Sequence, residues 1–311
     1  MSSRLRRIAE VNEEAVARGR YTAVDGSEVL IGDEVEAAAS GTRCYGPEEP
    51  LGPPATVPQG GGRQGGDGPL LQVTGEGSLE AARRMCGERE GEVAVLNFAS
   101  ARNPGGGYLG GAKAQEEDLC RQALLHTCLL RAPEYYAAHR ADSDLLYSDR
   151  VIWSPRVPVH RRADGELSAR PLLVSFLTSP APNAGEVLRR DPAAGERIRA
   201  ALRRRAARVL GVAAQQGVRR LVLGAWGCGV FRNDPREVAE AFHVHLGPGG
   251  GYRPAFDEVV FAILDRAGTG PSANRRAFDD RFPDDRFPDD RFPDDRFPDD
   301  RLPDARLPDA R

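Results

Sequence analysis

Two runs in the chain fix its architecture before anything else is read. Val93–Phe98 (VAVLNF) and Glu258–Leu264 (EVVFAIL) are of strand length and continue apolar where a half-wet strand would alternate. Such a strand is covered on both faces, which requires a sheet with helices above and below it. The rest of the chain supplies the partners. Glu28–Ile31, Leu70–Val73, Val151–Trp153, Leu172–Leu177 and Arg220–Leu223 read as further strands. Helices are expected over residues 4–18 up to Gly19, over Leu79–Met85 behind Ser78 as cap, and from about Ala114 to Leu130. Two more follow, Glu196–Gln215 with Gly217 as its stop, and one opened by Asn233-Asp234-Pro235 that ends near Leu246. This alternation predicts an α/β sandwich, a mostly parallel or mixed sheet between helices.

Two low-complexity stretches bound the folded unit. Residues 46–69 (GPEEPLGPPATVPQGGGRQGGDGP) are rich in Pro and Gly, and from Arg281 the unit RFPDD repeats four times before decaying to RLPDA. A Pro every five residues blocks helix and ladder alike, and so polar a unit buries no core of its own. The expected organisation is an N-terminal extension (1–45) packed on the core, a flexible linker (46–69), a globular domain (70–268) and a disordered tail (269–311). A cut at Ala277 is then expected to leave the folded unit intact.

The net charge of −3 conceals a split. Residues 278–311 hold twelve Asp against seven Arg, a net −5, which leaves +2 for everything before them. No large basic surface for duplex nucleic acid is expected, and Arg203-Arg204-Arg205 reads as a solvated helix face. Five widely spaced cysteines without a CxxC argue against a disulfide framework and a zinc site. His126, His139, His160, His243 and His245 form no ligand cluster with nearby acids, so no metal or cofactor is expected. No apolar run approaches the ~20 residues of a membrane span, and the amphipathic N-terminus is unlike a signal peptide. A soluble, cytoplasmic monomer is the expectation.

The chemistry concentrates in Asn97–Arg121, NFASARNPGGGYLGGAKAQEEDLCR. Gly105-Gly106-Gly107 stand between a buried strand and a helix, where helix propensity gives them no reason to be. They read either as a plain connector or as a loop whose amides approach a bulky anion, aided by the helix N-terminus. Gly105, Gly107 and Gly110 also satisfy GxGxxG. The acidic residue at the next strand end that a dinucleotide-binding oxidoreductase requires is missing, because the predicted helix simply continues. Glu116 and Glu117 are adjacent on a helix, so their side chains diverge by about 100°. They cannot be the facing carboxyls of an ordinary glycosidase, ~5–9 Å apart across one bond. One can face a leaving group while the other holds a neighbouring sugar.

Three glycines, seven intervening residues, then Gln115-Glu116-Glu117 resembles the signature of the poly(ADP-ribose) glycohydrolases. A second segment agrees: Gly224-Ala-Trp-Gly-Cys-Gly-Val-Phe231 is similar to that family's diphosphate loop. Stretches such as Ser154-Pro-Arg-Val-Pro-Val and Thr178-Ser-Pro-Ala-Pro-Asn-Ala-Gly look like its shorter bacterial branch.

The resemblance implies a macrodomain-like mixed sheet sandwiched between helices, and poly(ADP-ribose) or ADP-ribosylated proteins as partners. By the same likeness Gly105, Gly106 and Gly107 wrap the distal ribose and diphosphate. Gly227, Cys228, Gly229 and Val230 offer amides to the diphosphate, and Phe231 presses on the ribose. Asn103 or Asn97 hydrogen-bonds that ribose. Glu117 is the catalytic acid and base, expected to carry a raised pKa, Glu116 binds the adjoining ribose, and Gln115 positions the pair. Glu76 or the last strand, around Phe261–Ile263, is the candidate for adenine. A non-catalytic ADP-ribose reader and a hydrolase of another ADP-ribosyl linkage remain as alternatives.

Overall fold

The computed structural model describes residues 2–52, 68–265, 268 and 270–283. The N-terminal part comprises α1 (Ser3–Arg18), the hairpin β1 (Arg20–Thr22) and β2 (Glu28–Leu30), α2 (Gly32–Ser40) and β3 (Arg43–Tyr45). Next come β4 (Leu70–Thr74), α3 (Ser78–Glu88), β5 (Val93–Phe98), α4 (Gln115–Gln122), α5 (Leu125–Leu129) and α6 (Pro133–Ala141). A long hairpin of β6 (Val151–Arg161) and β7 (Leu167–Ser179) leads to α7 (Ala184–Arg190) and α8 (Gly195–Gln215). The last elements are β8 (Arg220–Leu223), α9 (Pro235–Leu246), β9 (Glu258–Ala262) and α10 (Ala273–Arg281).

Seven strands form one sheet in the order β3-β6-β7-β5-β8-β9-β4. From β7 to β4 they run parallel, while β6 is antiparallel to both β7 and β3. The two apolar runs behave as their composition requires. In β5, Ala94 and Leu96 enter the core that includes α8 and α9, while Val93 and Val95 enter the core that includes α3 to α6. In β9, Val259 and Phe261 face the first core, and Val260 and Ala262 the second. Each of the Val, Leu and Phe side chains among them contributes roughly 1.5–3 kcal/mol of burial free energy. Among the described residues, no helix is long and apolar enough to cross a membrane.

Five departures from the sequence expectation bear on the domain bounds and the core, while α3 begins at Ser78 itself with Gly77 as its cap. Residues 1–45 are more than an extension, because β3 is an edge strand of the main sheet. Leu51, within the expected linker, packs on the core, and the Arg208 guanidinium donates to the carbonyls of Gly46 and Glu49; residues 53–67 lie outside the described residues. The single helix expected over 114–130 is broken between α4 and α5, where Ala123 bridges to Val159 and the Leu124 amide donates to the Pro158 carbonyl at 3.0 Å.

Arg205 is not on a solvated face. It is fully buried, bonded to Asp149 at 3.0 Å and to the carbonyls of Leu146, Tyr147 and Pro180 at 2.8–2.9 Å. Four acceptors are what makes a buried guanidinium tolerable. The fifth departure is at the C-terminal end. The folded unit runs past residue 268, because Phe278 and Phe282 are buried beside Phe261. A cut at Ala277 would remove both rings; residues 284–311 lie outside the described residues.

Candidate active site

Strands β5 and β8 are adjacent and parallel, with Val93 opposite Arg220 and Val95 opposite Val222. Their carboxyl ends therefore meet at one edge of the sheet. The hairpin β6–β7 lies to one side of β5 and the β8-β9-β4 group to the other. That is the switch point where open α/β sheets form ligand crevices. The loop after β5 (99–114) and the loop after β8 (224–231) line a single cleft of about 560 Å³ there. Its walls include Asn103, Gly106, Gly107, Gln115, Glu116, Glu117, Gly227, Gly229, Val230 and Phe231, so two motifs more than a hundred residues apart converge.

The start of α4 carries Glu116, Glu117 and Asp118 in its first turn, where carboxylates favour the helix dipole. Two of these are buried. Glu117 is 8 % exposed; one of its oxygens accepts from the Gly107 amide at 2.8 Å, and the other, Oε2, has no partner among the described residues. Glu116 is more deeply set, accepting from the Ser100 amide at 2.7 Å and from the Asn97 side chain at 3.2 Å. Gln115 staples the helix start to the sheet. Its oxygen accepts from the Phe98 amide at 2.9 Å, and its nitrogen donates to the Leu96 carbonyl at 2.8 Å and to Ser78 at 3.2 Å.

The glycines are explained by these carboxyls. Gly106 has φ +59°, and a Cβ there would stand 2.5 Å from a Glu117 oxygen and 3.0 Å from a Glu116 oxygen. Gly107 must also lack a side chain, since a Cβ would meet that of Ala112 at 2.7 Å. The amides of Gly106 and Gly107 are already committed, to Asn103 and Glu117. This loop is shaped round the acids.

The second loop is complementary. Trp226 is buried and donates from its indole to the Ser179 carbonyl at 3.1 Å, while the Asn233 side chain donates to the carbonyls of Pro182 (2.8 Å) and Gly227 (3.1 Å). Gly227 has φ +72°, and a Cβ would meet Ala181 at 2.4 Å. The Cys228 amide is spent on the Ala225 carbonyl, whereas those of Gly227, Gly229, Val230 and Phe231 have no acceptor among the described residues. Phe231 is backed by Tyr147, ring centroids 6.0 Å apart. Of the two asparagines, Asn103 lines the cleft, while Asn97 is fully buried and held by Glu116 and Thr178.

Sequence reasoning missed Ser100, whose amide holds Glu116, and Lys113 and Ala114 on the cleft wall. Lys113 carried a signal of its own, being the only lysine in the chain. A second cleft of about 550 Å³ adjoins the first, with Leu79, Ile263, Leu264 and Asn274 in its lining. Glu76, by contrast, is engaged with Arg84 at 2.6 Å.

Burial pushes the Glu116 carboxyl up to about 8, against the pull of its bonds to Ser100 and Asn97. In the unfolded chain it titrates near its ordinary 4.5. Between these values the folded state holds a proton that the unfolded state has released. This group's contribution to stability is therefore fully present below about 4.5 and declines as pH rises to about 8. Glu116→Gln abolishes the titration. Thermal melts across that window are expected to show wild-type stability falling relative to the variant; parallel profiles would remove the inference.

A mixed sheet between helices, a ligand crevice at its switch point and buried acids beside a glycine loop define a macrodomain-like protein. The model of the family described as microbial-type PARG, catalytic domain, matches residues 9–162. The structure of poly(ADP-ribose) glycohydrolase from Thermomonospora curvata is 46% identical, with a TM-score of 0.81, covering 90% of this chain and 100% of that one. That enzyme bound to the inhibitor ADP-HPD gives 45% and 0.80, over the same shares. Poly(ADP-ribose) glycohydrolase from Deinococcus radiodurans in complex with ADP-ribose is 40% identical, with a TM-score of 0.68, covering 81% of this chain and 97% of that one. A comparison with curated protein sequences returned no match. The chain belongs to the bacterial-type poly(ADP-ribose) glycohydrolase family.

Proposed function

We propose that this protein hydrolyses the ribose–ribose O-glycosidic bonds of poly(ADP-ribose) and releases ADP-ribose, with Glu117 as the general acid and base. The observation that carries the reading is the state of the Glu117 carboxyl. It is held by one amide on one oxygen, has no partner among the described residues on the other, and lines a cleft instead of facing bulk water. A carboxyl so held can present a proton at a defined point.

In the first step the protonated Glu117 donates to the departing 2′-oxygen as the bond from that oxygen to the anomeric carbon breaks. The electron pair leaves with the oxygen, and an oxocarbenium-like centre remains on the sugar. The ionised carboxylate then takes a proton from water as its oxygen bonds to the anomeric carbon. The acid is thereby restored and free ADP-ribose is formed.

The surrounding groups suit the substrate. The free amides of the second loop can accept the diphosphate, as consecutive N–H groups in such turns do. Phe231 would bear on the distal ribose and Asn103 would bond its hydroxyls. Glu116, next to Glu117 but anchored at its base, would hold the adjoining ribose. The second cleft, with Ile263 and Leu264 in its wall, would receive the adenosine end.

Incubation with poly(ADP-ribose), followed by chromatography of the products, tests the reading. Accumulating ADP-ribose is the expected product. Tight binding with an undigested polymer would instead make the protein a reader.

A further inference from the structure

The two clefts share Phe98, Lys113, Ala114, Gln115 and Ala225. A ligand that fills both must cross this ridge. Lys113 is the one charged residue of the five. It is exposed, and its ammonium has no acceptor among the described residues. In a chain where arginine supplies every other strongly basic side chain, the single lysine stands at this crossing.

Two features of the surroundings say what it meets. Ala225, also on the ridge, begins the loop whose amides at Gly227, Gly229, Val230 and Phe231 are uncommitted, so anion-seeking groups stand beyond the crossing. On the near side, α4 opens with Glu116, Glu117 and Asp118. Of these, Asp118 is exposed and lines the second cleft, and an anion crossing beside its charge is repelled unless a cation intervenes. Arg121 also lines the second cleft, but it is buried and spent on the Ala112 carbonyl at 2.8 Å, with Asp118 3.6 Å away.

We propose that Lys113 is a substrate-binding residue that contacts the diphosphate of ADP-ribose from the α4 side, facing the amides of the second loop. The proposal rests on the ADP-ribose reading of the cleft and adds to it a specific contact. A hydrated point charge on a flexible stem suits the task, since it can follow the diphosphate across an open ridge without fixed bidentate geometry.

Calorimetric titration with ADP-ribose and with adenosine, on wild type, Lys113→Gln and Lys113→Arg, tests it. Lys113→Gln is expected to weaken ADP-ribose binding about tenfold, the scale of one charge-assisted contact, and to flatten its salt dependence. Adenosine, which has no phosphate, should bind both proteins equally, and Lys113→Arg should restore most of the loss. In turnover assays KM for polymer rises while kcat stays within about twofold. Arg162→Ala, which removes a cation from the β6–β7 turn at the opposite end of the sheet, is the charge control and should leave binding unchanged. Equal ADP-ribose affinity of Lys113→Gln and wild type at low salt would overturn the proposal. So would a loss felt equally by adenosine. If wild type bound no ADP-ribose at all, the reading of the cleft would fall, and this contact with it.

Discussion

Glu117→Gln lowers polymer turnover at least ~100-fold while leaving ADP-ribose affinity within about twofold; that is the expected result of removing a general acid without moving its neighbours. The amide has the shape of the carboxyl, and its oxygen can still accept from Gly107, now 2.8 Å from Glu117. What it lacks is an acidic proton at the bare oxygen and a carboxylate to deprotonate water. Product release with time and calorimetric affinity measure the two halves separately. Near-normal cleavage by the variant would remove Glu117 from the mechanism. Joint loss of binding and turnover would mean that the substitution had disturbed the glycine loop, whose Gly106 lies so close that a Cβ there would meet both carboxyls, at 2.5 and 3.0 Å.

The second large effect lies at the other end of the chain. Phe278→Ala empties a fully buried site beside Phe261 and Phe282, whose ring centroids are 5.3 and 6.4 Å away. Such a truncation costs about 3–5 kcal/mol, and in a domain of this size each kcal/mol is worth about 2–4 °C. A fall in Tm of at least ~6 °C is expected by scanning calorimetry. Deleting residues 284–311 spares every contact described for α10 and should leave Tm within ~2 °C. An unchanged Tm for Phe278→Ala would show that α10 adds nothing to the fold.

The sequence made the sheet's interior legible because its code is local. Complete burial writes itself as apolar runs at Val93–Phe98 and Glu258–Ala262, and the Asp234-Pro235 cap marks the start of α9. The two glycine loops meet because they leave the adjacent parallel strands β5 and β8 at their carboxyl ends. Distant partners decided what was not legible. The break after α4 depends on Pro158 and Val159, far along the chain. The hairpin β6–β7 is longer than its apolar stretches, since pairing tolerates Pro155 at a register shift between Ser154 and Val157. Arg205 reads as surface by type and is buried by its acceptors. Burial pushes the Glu116 carboxyl up to about 8. Which of two adjacent acids lies deeper depends on where Asn97 and Ser100 stand, and spacing on a helix does not carry that.

The docking of Phe282 has a bearing on how this gene can drift. Arg281 and Phe282 open the first repeat unit; Arg281 pairs with Glu240 at 2.5 Å while the ring packs under β9. Every following RFPDD unit begins with the same two residues. Slippage that deletes or adds one five-residue unit therefore returns an Arg-Phe pair to positions 281 and 282. A change in the copy number of the repeat thus keeps the residues that make the Arg281 and Phe282 contacts.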